Sequence, residues 1–182
     1  MELGETLYAK DRRAWRKWLE KHAATAKEIW LVYYTKASNK PSIPYNDAVE
    51  EALCFGWIDS NLKPHGPESR AQRFTPRRPN SPLSELNKER VRRLIDAGSM
   101  TPAGLAAAGD LDTKFVIPKD ILRELKKDRE TWENFQRFPE SYKRIRIGWI
   151  VGSMKQRPEE SEKRLRYFLK MTKQNKMYGM VR

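Results

Sequence analysis

The chain has 182 residues, enough for one domain or for one domain with a helical appendage. Its hydrophobic share of 38%, with six Trp, seven Tyr and six Phe, is enough for a core, so the 34% of charged residues does not imply disorder. One cysteine excludes an internal disulfide, and two histidines beside it argue against a zinc site, while the net charge of +13 points to anionic partners.

Asp11 is placed to N-cap a helix over Arg12–His22, with Trp15, Trp18, Leu19 and His22 on one stripe. Residues 28–36 are β-branched and aromatic and predict a strand buried on both faces. A turn-rich loop over 37–41 leads to a helix from Asn46, with Val49 and Leu53 inward and Asp47, Glu50 and Glu51 outward. Gly56 is expected to end it in a left-handed conformation. A strand over 57–63, a Pro-Gly turn over 64–67 and a strand over 70–75 then predict a hairpin. Pro76, Pro79 and Pro82 hold the next stretch extended. A helix follows over 82–97, with Val91, Leu94 and Ile95 on one face, and Thr101-Pro102 opens a short helix to Ala108.

From Pro118 the pattern is helical to residue 176. The segment 139–156 carries apolar residues on two sides, Tyr142, Ile145 and Trp149 on one and Ile147, Ile150, Val151 and Met154 on the other, which predicts a central helix. Gly148 and Gly152 on it would admit a neighbouring backbone. The fold class expected is α+β: a small antiparallel sheet with flanking helices over 1–112, followed by a C-terminal helical bundle over 113–182, as two regions or one domain.

The charge is uneven. Residues 1–69 are balanced, 70–93 carry a net +6, and 143–182 carry a net +9. The two basic blocks are either solvated faces or polyanion-binding surfaces. On the last helix, Lys163, Arg166, Lys170 and Lys173 align as the polyanion-binding candidates. The tail Met177–Arg182 adds a few bulky residues that an anionic lipid surface would accept. No run of about 18 apolar residues occurs, so no transmembrane segment is expected. Met1–Tyr8 has neither the basic nor the apolar region of a signal peptide, so a cytoplasmic location is expected.

Chemistry concentrates in the block 50–60 and in Arg73-Phe74-Thr75-Pro76-Arg77-Arg78. Strand alternation puts Trp57 and Asp59 on one face. Arginine forks take carboxylate or phosphate bidentately, and aromatic rings stack planar groups. The candidate ligand-binding set is therefore Trp57, Asp59, Arg73, Phe74, Arg77 and Arg78. The alternative is a structural ion pair between Asp59 and Arg73 or Arg77 across the hairpin, worth about 0–1 kcal/mol if exposed. No catalytic residue is assigned; if the protein is an enzyme, Asp59 is its acid or base, and no phosphate loop, dinucleotide fingerprint or nucleophile elbow accompanies it. Cys54 and His22 read as packed residues. No cofactor and no metal are expected.

Trp15-Arg16-Lys17-Trp18-Leu19, Lys40–Tyr45, the block Ala48–Ser60, Arg73–Arg77, Ser99-Met100-Thr101, Ile117-Pro118 and Trp149-Ile150 occur in an order that resembles the YdeI/OmpD-associated, or bacteriocin-protection, family over nearly the whole chain. The family's Ala-Lys-x-x-Glu-Thr-Arg run near the end of the central helix is replaced here by Gly152–Ser161, which keeps Lys155 and lacks the Thr-Arg pair. The resemblance implies a role in tolerance to cationic antimicrobial peptides or bacteriocins and a link to an outer-membrane porin, with no catalytic residue attached. A charge of +13 repels a cationic peptide. An indirect, non-enzymatic binding role is thus expected, through an anionic ligand (a phosphorylated or carboxylate small molecule, nucleic acid or anionic lipid) or an acidic protein partner. A nucleic-acid binder using 70–93 and 143–182 is the alternative, and an enzyme the weaker one.

Overall fold

A computed structural model describes residues 3–79 and 81–179; Met1, Glu2 and the tail residues Met180, Val181 and Arg182 lie outside the described residues. The fold is α+β. Four strands and eight α-helices occur among the described residues: β1 (Thr6–Tyr8), α1 (Arg12–His22), β2 (Ile29–Tyr34), α2 (Tyr45–Cys54), β3 (Trp57–Gly66), β4 (Ser69–Pro76), α3 (Glu85–Asp96), α4 (Pro102–Ala108), α5 (Lys119–Lys126), α6 (Arg129–Arg137), α7 (Glu140–Met154) and α8 (Pro158–Lys173). Two compact units result: Met1–Pro82 with Arg90–Leu111, and Leu83–Glu89 with Asp112–Arg182. No helix of the described residues is long and apolar enough to cross a membrane.

In the first unit the sheet order is β1-β2-β4-β3. β4 runs antiparallel to both β2 and β3, and β1, too short to stand out in the sequence, pairs parallel to β2 at the edge. β3 is the other edge, which is why Pro64 is tolerated inside it. Strand pairing continues to Gly66, three residues beyond the expected end. The register sets Ile29 opposite Phe74, Leu31 opposite Gln72 and Tyr33 opposite Arg70, so these six share one face. Asp59 joins that face opposite Phe74, and an irregularity between Asp59 and Leu62 returns Leu62 to it opposite Gln72.

α1 begins as expected, with Asp11 Oδ1 accepting the Ala14 N–H at 2.8 Å. Its aromatic stripe covers the sheet. Trp15 meets Phe74 at 5.4 Å between ring centroids, and Trp18 meets Trp57 edge-on at 5.8 Å. Such pairs add about 0.5–1.5 kcal/mol each beyond burial alone. Trp15 Nε1 donates to the Ala48 carbonyl at 3.0 Å, which ties α1 to α2. His22 is exposed and stacks on Trp18 at 5.0 Å rather than packing inward. Glu51, expected outward, is 4% exposed, because Arg12 and Arg16 of α1 reach across to hold both of its oxygens. Ile95 is exposed while Val91 and Leu94 are buried, since α3 buries a narrower stripe than its sequence offers.

In the second unit α5–α8 enclose Ile121, Leu125, Phe135, Phe138, Tyr142, Ile147, Ile150 and Phe168. Asp128 caps α6 by accepting the Thr131 N–H at 2.8 Å, and Asn134 Nδ2 donates to the carbonyls of Thr172 and Lys173 at 3.2 and 3.1 Å, satisfying the end of α8. α7 is buried on two sides, as its pattern requires. Trp149 and Met154 are exceptions: expected inward, each is 43% exposed. Neither Gly148 nor Gly152 receives a neighbouring backbone: a Cβ on Gly148 would meet only the Glu85 side chain, and one on Gly152 would meet nothing. Close backbone approach occurs at Gly104 of α4, in the first unit, where a Cβ would stand 2.6 Å from the Cys54 carbonyl carbon and 2.9 Å from the Leu53 oxygen.

Candidate functional site

The shared face of β2, β4 and β3 opens into a cleft of about 570 Å³ where Tyr33, Asp59, Leu62, Arg70 and Gln72 meet Tyr45, the first residue of α2. That volume falls in the range of small-molecule sites, about 300–1,000 Å³. Pro44 fixes the entry into α2 and with it the position of Tyr45. The Tyr45 hydroxyl donates to Asp59 Oδ2 at 2.8 Å. Gln72, buried in β4, donates from Nε2 to the Ser60 carbonyl at 2.8 Å and reaches the same Asp59 oxygen at 3.4 Å. The carboxylate is thus oriented from two sides.

Tyr33 completes the wall. Its hydroxyl is buried and has no hydrogen-bond partner. Burial, and then the nearby Asp59 charge, push the Tyr33 phenol far above the usual tyrosine range. Burial and the Asp59 charge and hydrogen bond raise Tyr45 likewise. Both phenols therefore keep their protons at any physiological pH and act as donors. Burial lowers Arg90 of α3, and the Tyr45, Glu50 and Asp59 groups pull it back, so it lends positive charge near the cleft. Its Nη2 donates to Asn46 Oδ1 at 2.7 Å. The arrangement is an aromatic recess with one carboxylate, one arginine at Arg70 and one unused buried hydroxyl.

Of the six residues expected to bind ligand, only Asp59 lines this cleft. Trp57 is 1% exposed, and its Nε1 donates to the Ala23 carbonyl at 3.1 Å. Phe74 is fully buried beneath Trp15. Neither ring is free to stack a ligand, because the face they share with Asp59 is covered by α1 at their end of the strands. Arg73 alternates to the opposite face, where its Nε donates to Glu28 Oε2 at 2.9 Å and its Nη2 to the same oxygen. Glu28 is held below the usual carboxylate range by that bond. The cross-hairpin pair between Asp59 and Arg73 does not form for the same reason. Arg77 donates to the Ala107 carbonyl at 3.3 Å and to the Ser81 carbonyl, and its own backbone N–H donates to Gly56 at 2.9 Å, so it staples chain segments together. Arg78 is exposed and apart from the cleft lining.

On α8, Lys163, Arg166, Lys170 and Lys173 are exposed. Arg166 lies 3.8 Å from Glu162 and Lys173 2.9 Å from Asp128, whose carboxyl is held down at about 2, first by the lysine and then by the Thr131 bonds. A second recess, about 350 Å³, holds Arg12, Glu50, Glu51, Arg90 and Arg93. Its acids face arginines, with Arg16 Nη1 at 2.8 Å from Glu51 and Arg12 Nη2 at 3.0 Å from Glu50, so the groups neutralise one another. Among the described residues no three His, Cys, Asp or Glu side chains converge as a metal set. Sequence reasoning missed Tyr33, Tyr45, Arg70 and Gln72. The alternation of Tyr33 with Leu31, and of Arg70 with Gln72 and Phe74, carried the signal for three of them; the position of Tyr45 depends on how α2 meets the sheet.

Residues 7–107 match the model of a domain of unknown function (DUF8412), and residues 114–175 match that of the family described as Bacteriocin-protection, YdeI or OmpD-Associated. No curated protein matches the chain, and no solved structure does.

Proposed function

We propose, for a chain that belongs to the family of that domain of unknown function and carries the YdeI or OmpD-associated domain after it, a non-enzymatic small-molecule-binding role seated in the cleft of Tyr33, Tyr45, Asp59, Arg70 and Gln72. The observation that carries it is the Tyr33 hydroxyl, buried beside Asp59 with nothing to bond. An unmet buried donor costs free energy unless a bound molecule supplies the acceptor. Asp59 supplies the matching acceptor for a ligand hydroxyl or amine, and Arg70 receives a carboxylate or phosphate. The aromatic walls take the ligand's ring or apolar body. The ligand class is therefore a small anionic molecule bearing a donor group. The binding arginine is Arg70, not the 73–78 stretch.

The role in the cell is tolerance to bacteriocins or cationic antimicrobial peptides, exerted from the cytoplasm and indirectly. A net charge of +13 disfavours capture of the peptide itself. The Asp59 carboxylate, engaged by Tyr45 and Gln72, orients a ligand rather than cycling a proton.

Native mass spectrometry of the full chain purified from its own host tests the reading. A retained small anion is expected, and Asp59→Asn or Arg70→Ala should weaken it about tenfold or more, the loss of one charge-assisted hydrogen bond. A protein that carries nothing, or a ligand retained equally by both variants, sinks the assignment.

A further inference from the structure

Trp149 of α7 and Tyr167 of α8 are 43% and 47% exposed. Single exposed rings are ordinary on a protein surface, but these two belong to one patch. The Arg164 guanidinium lies over the Trp149 ring at 4.1 Å, and its Nη1 donates to the Trp149 carbonyl at 2.8 Å. Arg164 stands one turn before Tyr167 on α8, so it joins the two rings. Tyr167 meets Tyr178 edge-on at 4.8 Å, and Met177 is exposed next to it in the chain. The surface stays open at Gly152, one turn beyond Trp149, where an added Cβ would meet nothing.

Cations flank the rings. Lys163, Tyr167 and Lys170 follow one another at i, i+4 and i+7, so Tyr167 stands between two lysines on one stripe of α8. Arg164, Arg166 and Lys173 are engaged by Glu160 at 3.1 Å, Glu162 at 3.8 Å and Asp128 at 2.9 Å. Lys163 and Lys170 make no ion pair among the described residues. No acid follows Glu162 in the sequence, and residues 143–182 carry a net +9.

Such charge suits a nucleic acid or an anionic lipid surface, and the rings decide between them. A single-stranded nucleic acid needs the open face of a ring on which to stack a base. Arg164 already occupies a face of Trp149, and Arg146 lies over the same ring at 5.8 Å. A bilayer interface needs only amphipathic rings at headgroup depth, set among cations whose stems lie along the acyl boundary. We infer that this face of α7 and α8 docks on an anionic phospholipid bilayer. Trp149 and Tyr167 enter the headgroup layer, and Lys163 and Lys170 meet the phosphates. The contact is peripheral, lies in the second unit and is independent of the cleft proposed above.

Cosedimentation of the full chain with phosphatidylglycerol–phosphatidylcholine vesicles tests it, with phosphatidylcholine alone as the control. Binding to the anionic vesicles is expected, falling as salt rises. Lys163→Gln with Lys170→Gln should weaken it about tenfold or more, at about fivefold per charge. Tyr167→Gln should weaken it about threefold or more and leave the affinity for duplex DNA unchanged, because the duplex reads the charge and not the ring. Headgroup-labelled nitroxide lipid should quench the tryptophan emission of the bound chain, and Trp149→Phe, which keeps an apolar ring in place, should lose that quenching. The phenylalanine variant carries the test if Tyr167→Gln fails to fold. Absence of vesicle binding, or equal binding to neutral vesicles, overturns the inference. A Tyr167→Gln loss shared equally by vesicles and DNA makes the patch a nucleic-acid surface and overturns it too, as does quenching that Trp149→Phe leaves unchanged.

Discussion

Cys54 reads from the sequence as a packed residue, and its burial sets its chemistry. By sequence it stands in a block dense with chemistry; in the structure it is a fully buried thiol at the end of α2. Burial first, and then the Glu51 charge, push it from 9.0 up to about 11, with Arg16 pulling weakly the other way. Two consequences are measurable. At pH 8 the thiol of the folded chain should react with a disulfide reagent about a hundredfold more slowly than in urea, following the thiolate fraction. Stability should also depend on pH. Below pH 9 both states hold the proton; between pH 9 and 11 the unfolded chain releases it while the folded chain keeps it. Unfolding midpoints should therefore fall as pH rises through that window, and Cys54→Ala should remove this part of the fall. A thiol that reacts at the same rate folded and unfolded contradicts the burial argument. Glu51 makes the converse point. Its helix position reads as outward, yet two arginines from α1 draw it to 4% exposure.

At the scale of elements, α4 shows how a seven-residue helix is held. Thr101 Oγ1 accepts the Gly104 N–H at 3.1 Å and donates to the Cys54 carbonyl at 2.6 Å, so one side chain caps α4 and satisfies the end of α2. Gly104 lets the two backbones touch. Gly104→Ala should cost about 1–3 kcal/mol in urea unfolding, since the added methyl meets backbone that cannot rotate away. Gly152→Ala on α7, where nothing lies near, should instead gain about 0.5–1 kcal/mol from helix propensity. Equal effects at the two sites would refute the close-approach argument. The capping signals Asp11 and Thr101 and the apolar stripes of α1 and α7 were legible because a helix writes its period into neighbouring residues. The hairpin was legible too, through its alternation and turn residues. What alternation does not say is which face is covered, and so Trp57 and Phe74 read as site residues while Tyr33 and Gln72 did not.

For the whole molecule, charge is the property that needs no structure. A net charge of +13, concentrated in 70–93 and 143–182, predicts binding of duplex DNA or heparin in which log K falls linearly with log salt, by roughly 0.9 per phosphate neutralised on duplex DNA. Exposed Lys163 and Lys170 on α8 are the residues to reverse first, and Lys163→Glu with Lys170→Glu should flatten the slope measured by fluorescence anisotropy. Binding indifferent to salt, or unchanged by the two reversals, would remove these lysines from any polyanion surface. The sequence by itself determined the α+β class, the caps at Asp11 and Thr101, the basic blocks and the resemblance to the YdeI/OmpD-associated family, because each rests on composition or on residues a few positions apart. Only the tertiary structure decided where ligand-facing groups meet. Arg73 finds its acid in Glu28, 45 residues away, and Asp59 finds Tyr45 across the start of a helix. Register and helix cover set those meetings, and both are fixed by packing between elements rather than within them.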